Sequence, residues 1–127
     1  MRWDDLPGFG QAARWMSRRN GESSARAMAA RIEEFQRQSP NQPQVQYWQQ
    51  ALEVRPGWRR VKTGIYEFRT GERLELKEGT SSQEILSRMT AIEVRPLGEG
   101  LPPDVQKALI ADAVEAAVAW WKRHGEV

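Results

Sequence analysis

Apolar residues recur along this chain with two different periods. From Ser23 or Ser24 to about Gln38, Ala25, Met28, Ala29, Ile32 and Phe35 fall on one helical face, with Arg26, Glu33, Glu34 and Arg37 elsewhere. Ser39-Pro40 ends that pattern. Upstream, residues 11–19 suit a separate short helix, stopped by Asn20-Gly21. Trp3, Leu6, Phe9, Trp15 and Met16 gather there around a Pro7-Gly8 turn. Downstream, Pro43 fits a first helical turn, and Val45, Trp48 and Leu52 follow at i, i+3 and i+7. That spacing predicts a helix from 43 to about 52. The glutamines between Gln36 and Gln50 read as a solvated helix face and linker in preference to an adaptable polar contact surface.

After the Pro56-Gly57 turn the period falls to two. Residues 58–63 predict a strand, with Gly64 marking a bend or bulge. Ile65–Arg69 and Arg73–Lys77 predict a hairpin around Thr70-Gly71-Glu72. A turn centred on Gly71 sets Phe68 opposite Leu74 and Tyr66 opposite Leu76 on one side. The other side then carries Glu67, Arg69, Arg73, Glu75 and Lys77, as expected of a half-buried antiparallel pair.

Ser81-x-x-Glu84 is a capping box ahead of Ile85, Leu86 and Met89, predicting a short helix over 82–89. Ala91–Arg95 reads as a fourth strand stopped by Pro96. A Gly/Pro-rich loop leads to a last helix from Pro103 or Asp104 to about Arg123. Apolar residues cover more than half of that helix, so it is expected to be buried on more than one side, deep in the fold or at a homodimer interface. One segment echoes another: Ala51-Leu52-Glu53-Val54-Arg55-Pro56 returns as Ala91-Ile92-Glu93-Val94-Arg95-Pro96. The flanks do not match well, so the echo reads as coincidence or local convergence; a shared conformation would make 52–55 a strand. Together these elements predict a single α+β domain over 1–127. It has N-terminal helices, a small, mainly antiparallel sheet of three or four strands, and a long buried C-terminal helix.

Composition narrows the chemistry. The 127 residues are enough for one core, and 39% are hydrophobic, which argues against a disordered chain. No stretch of about 18 apolar residues is present, so no membrane partner is expected. Asp4 and Asp5 stand where a signal peptide would be basic and then apolar, so a cytoplasmic location is expected. The chain has no cysteine and one histidine, His124. That removes thiol nucleophiles and the usual zinc sites and disfavours a Ser-His-Asp triad; no cofactor is called for. The abundance of arginine and alanine suggests a GC-rich coding sequence, of bacterial, phage or other mobile-element origin.

Net charge is only +2, but it is unevenly spread. Residues 58–77 hold Arg59, Arg60, Lys62, Arg69, Arg73 and Lys77 against Glu67, Glu72 and Glu75. With Trp58 and Tyr66, this block could track phosphates and stack an unpaired base, so DNA or RNA is one candidate partner. Arg14, Arg18, Arg19 and Arg26 could extend the footprint. The interleaved glutamates also fit a self-neutralising solvated face, and no standard nucleic-acid motif appears.

Glu75-Leu76-Lys77 is the sharpest catalytic pattern. An E-x-K strand beside a strand bearing a second acid is what a Mg²⁺-dependent nuclease of the PD-(D/E)XK class requires, and Glu67, Glu33 or Glu34 could supply further carboxylates. Cross-strand charge pairing explains the same residues without catalysis. Tryptophan and arginine are also enriched at protein–protein hot spots, and six tryptophans are many for this length. Trp120 and Trp121 read as core. Trp3, Trp15 and Trp58 sit beside turns and charge, where an exposed anchor is plausible.

The reading that follows is a non-enzymatic binding module, an adaptor, inhibitor or assembly component, that contacts another protein. Trp58, Arg59 and Arg60 would anchor the contact, with Lys62, Arg69, Arg73 and Lys77 setting orientation. A nucleic-acid binder using the same hairpin is the alternative, and the nuclease the third.

Overall fold

Asn20-Gly21 does not stop a helix. The computed structural model describes residues 10–38 and 44–124, with the backbone alone at 10–14 and 44. In it, α1 runs unbroken over Gly10–Gln38. Gly21 is where α1 meets α4 (Pro103–His124). A Cβ at Gly21 would lie 2.1 Å from the carbonyl oxygen of Ala113, so only glycine allows the two backbones this close. The contact offsets the roughly 0.5–1 kcal/mol that a glycine costs a helix interior. Beside it, buried Ser17 donates from Oγ to Asp112 at 2.7 Å, and Arg18 Nε lies 3.2 Å from the same carboxylate.

α2 spans Gln44–Val54; Pro43, where the sequence reading starts this helix, lies outside the described residues. Trp48 and Leu52 are fully buried, as their spacing predicts. Trp48 packs on Trp121 of α4, with ring centroids 5.3 Å apart, and Tyr47 meets Phe35 of α1 edge-on. The predicted core roles of Trp120 and Trp121 divide: Trp121 is buried and Trp120 half-buried against the same cluster.

Three antiparallel strands follow in the order β1 (Trp58–Lys62), β2 (Ile65–Phe68) and β3 (Arg73–Glu75). Their hairpin register differs from the predicted one. Tyr66 faces Leu74 and Glu67 faces Arg73, a slip of two positions from Tyr66 facing Leu76. The cause is the turn. The Phe68 N–H donates to the Glu72 carbonyl and the Gly71 N–H to the Phe68 carbonyl, both at 2.8 Å, closing a loop over 69–71. Gly71 there has φ 92°, the left-handed position of a three-residue hairpin loop. Because side chains alternate with a period of two, this even slip keeps the paired residues on their predicted faces, while Arg69 passes from the strand into the turn. Trp58, Tyr66, Phe68, Leu74 and Leu76 all point into the core.

The predicted fourth strand is helical. α3 runs over Ser82–Val94 and passes into a 3₁₀ turn at Arg95–Gly98, so Ala91–Arg95 never joins the sheet. Ser81 caps α3 as the capping box predicts, its Oγ accepting from the Glu84 N–H at 3.2 Å. On the helix, Ile92 joins the main core and Val94 packs with Leu109 and Ala113 of α4. Burying two such side chains outweighs a β-branched propensity difference of a few tenths of a kcal/mol per residue. Both copies of the echo thus close a helix, at Val54 and at Val94, and neither is a strand.

α4 is buried on two sides, by α1 and by α3. Val105, Leu109, Ala113, Ala116, Ala117 and Trp121 form its inner arc, while Ile110, Val114 and Val118 are half-buried. The fold is therefore α+β, with N-terminal helices, a three-stranded antiparallel sheet and a long C-terminal helix. No described helix is long and apolar enough to cross a membrane.

Candidate functional site

The sheet turns one face to the core and the other to solvent. Arg59 faces Glu67 across the β1–β2 pair, and Glu67 faces Arg73 across the β2–β3 pair, so all three share the outer face. An irregularity between Arg60 and Lys62 inserts Val61 and sets Lys62 opposite Ile65, which returns the lysine to that same outer face. Glu75 pairs with Ile65 there, and the Lys77 ammonium lies 4.0 Å from the Glu75 carboxylate.

Glu67 is the centre of this surface. Arg59 reaches its Oε1 from Nη2 at 2.6 Å and from Nε at 3.2 Å, and Arg73 Nε reaches Oε2 at 3.1 Å. Hydrogen bonds from Arg59 first and Arg73 second hold its carboxyl below the usual carboxylate range. Both arginines stay mostly in water, at 74% and 58% exposure, so the pairing is screened and adds little to stability. It does fix two guanidinium groups side by side. Lys62 has no described carboxylate within ion-pair distance. Four cations, Arg59, Lys62, Arg73 and Lys77, thus stand against Glu67 and Glu75, a surplus of two positive charges.

Three of the seven predicted binding residues lie elsewhere. Trp58 is buried, at 8% exposure; its indole N–H donates to Glu93 at 2.8 Å and its ring packs on Phe68. The anchor reading of that ring does not survive, because the charge beside it belongs to an internal partner. Arg60 faces Tyr66, on the sheet's inner side, 3.8 Å from Glu53 of α2. Arg69 leaves through the turn and lies over the Phe68 ring, 5.3 Å from its centroid. Tyr66 and Phe68 are likewise internal, so no aromatic side chain of β1–β3 faces outward. The Tyr66 hydroxyl, near Glu53, is pushed up to about 12 by burial and then by that carboxylate's charge.

The second basic cluster is engaged along α1. Arg18 holds Asp112, Arg26 lies 5.7 Å from the Trp120 ring, and Arg19 covers Trp15, which remains 60% exposed. The Arg14 side chain and all of Trp3 lie outside the described residues.

The nuclease pattern does not assemble. Glu75 and Lys77 are both more than half exposed, Glu67 is held by two arginines, and Glu34 pairs with Arg31. The strand that would complete the predicted core is the end of α3. Among the described residues, no group of three His, Asp or Glu side chains could hold a metal ion.

The strongest polar cluster is one the sequence reading missed. Arg55, at the end of α2, grips Glu93 of α3 with both arms, Nε to Oε2 at 2.7 Å and Nη2 to Oε1 at 2.6 Å. Ser24 of α1 donates to Oε1 at 2.9 Å and accepts from Arg55 Nη2 at 3.1 Å, and the Trp58 indole takes Oε2. The ion-paired side chains are only 15% and 11% exposed. Four elements meet on one carboxylate. The echo held the signal, since Arg55 of the first copy grips Glu93 of the second.

No protein-family model, curated protein or solved structure matches this chain.

Proposed function

We propose that the chain is a non-enzymatic binding module that takes an acidic protein surface on the outer face of its sheet. The observation that carries this reading is the outer-face array of Arg59, Lys62, Arg73 and Lys77, in which Glu67 holds two arginines, one on each carboxylate oxygen, without burying them. Arginine forks match carboxylates in pairs, and complementary charge speeds encounter and fixes orientation. A partner carboxylate can replace Glu67 on either fork at little cost, because the existing pairs are screened by water.

A nucleic-acid reading keeps support from the same surplus of charge, since a phosphate backbone needs only cations. Stacking on unpaired bases is disfavoured, because the aromatic rings of the sheet are internal. The test is fluorescence anisotropy with a labelled Glu-rich peptide and with single- and double-stranded DNA and RNA, at about 50 and about 200 mM salt, with and without Mg²⁺. Peptide binding that weakens with salt and is lost in the Arg59→Ala/Arg73→Ala double variant is expected. Tighter binding of any oligonucleotide, or its Mg²⁺-dependent shortening, would overturn the proposal.

A further inference from the structure

Beside the Arg55–Glu93 cluster lies a pocket of about 270 Å³ whose charge is unbalanced. Both oxygens of Glu93 are taken, Oε1 by Ser24 and Arg55 and Oε2 by Arg55 and Trp58, so its acceptor capacity is met inside the protein. Arg55 uses Nε and Nη2 for this, and its Nη1 has no partner among the described residues. Arg69 lines the same pocket with no described carboxylate in ion-pair reach. Its guanidinium is steadied over the Phe68 ring, which orients the charge without neutralising it. Asn20 and Ser23, whose side chains carry an amide and a hydroxyl, are also among the lining residues. The pocket therefore combines one surplus positive charge with neutral donors.

We infer that this pocket binds the carboxylate of a small organic acid, with Arg69 as the charge partner and Arg55 Nη1, Ser23 and Asn20 as supporting donors. One surplus charge matches a monoanion; the second charge of a phosphate would stand unpaired near Glu93. A planar guanidinium also fits a carboxylate with two parallel hydrogen bonds. Pro56, Phe68 and the half-exposed Leu97 form the apolar part of the wall and suit a short hydrocarbon or ring. The space is ample for a small ring-bearing monocarboxylate such as benzoate. The inference is independent of the outer-face reading, since Arg59, Lys62, Arg73 and Lys77 do not line the pocket.

The experiment is a ¹H–¹⁵N NMR titration of the full chain with sodium benzoate, sodium phosphate and sodium chloride at matched ionic strength, on wild type and on Arg69→Gln. Arg69 sits in an exposed turn, and the dispersion of the spectrum reports directly whether the variant folds. Benzoate should give saturable shifts at the Trp58 indole and at the amides of Asn20, Ser23 and Arg69. Affinity should fall about tenfold in Arg69→Gln, the scale of one charge-assisted hydrogen bond. Ser23→Ala should weaken it by less. Shifts that track sodium chloride without saturating, tighter binding of phosphate, or unchanged affinity in Arg69→Gln would each overturn the inference.

Discussion

Two arginine–carboxylate clusters sit on either side of the sheet, and they do opposite things. Arg55 and Glu93 meet bidentately at 15% and 11% exposure, with Ser24 and Trp58 completing the carboxylate's shell. Arg59, Glu67 and Arg73 have comparable distances, yet the arginines are 74% and 58% exposed. Short contacts alone do not distinguish a buried clamp from a solvated ion pair. Solvent does. A charge removed from water must keep its partner or leave the other charge stranded, whereas a charge in water exchanges partners at little cost. The inner cluster fixes the meeting point of α1, α2, β1 and α3, and the outer one presents cations.

The largest expected effect is therefore at the clamp. Arg55→Ala should destabilise the fold by about 3 kcal/mol, because it leaves Glu93 nearly buried and without its counter-charge. Urea unfolding would measure this, and a loss below about 1 kcal/mol would mean that the carboxylate is less isolated than its surroundings indicate. The Arg55→Met/Glu93→Met double variant should recover part of the loss, since removing both charges removes the desolvation penalty as well.

Next in size is Gly21→Ala. Its new methyl group would meet the Ala113 carbonyl at 2.1 Å and force α1 and α4 apart. Overpacking of this kind costs about 1–3 kcal/mol, read as a lowered thermal midpoint. Were Gly21 an ordinary helix-interior position with open space beside it, alanine would stabilise the protein instead.

Arg59→Ala is expected to leave the urea midpoint where it is while weakening capture of the Glu-rich peptide. A substantial loss of stability would place the outer triad with the clamp and erase the distinction between them.

The smallest effect is one of pH. Tyr66 is neutral in the fold and its ionisation is raised to about 12 from an ordinary 10.0. Its contribution to stability is thus complete below about pH 10 and lost as pH climbs through the folded value. Tyrosinate absorbance should show a late-titrating component that disappears in Tyr66→Phe. A titration without that component would contradict the internal placement of the hydroxyl.

Much of the fold was legible because burial writes its period into the sequence. Trp48 and Leu52 of α2, the alternation from Tyr66 to Leu76, and the apolar arc of α4 all follow the rule that one face must leave water. What escaped the sequence depended on distant partners. Gly21 looks like punctuation until Ala113 is known to lie against it. Ala91–Val94 alternates like a strand, but Leu109 and Ala113 of α4 bury Val94 from a helix. Trp58 was misplaced for a related reason: neighbouring charge suggests exposure, and only the fold shows that Glu93 satisfies its indole. Within the outer site, alternation placed Glu67, Arg73, Glu75 and Lys77 correctly. The irregularity that turns Lys62 outward left no sequence signal beyond Gly64.

The most direct test of the division between clamp and docking surface pairs two readings on one double variant, Arg59→Ala/Arg73→Ala. Its affinity for the labelled Glu-rich peptide and its urea midpoint would be measured beside wild type. Loss of salt-sensitive peptide binding with an unchanged midpoint is the expected result. Retained peptide binding, or a midpoint that falls with it, would contradict the assignment of the outer sheet face as the surface that meets an acidic partner.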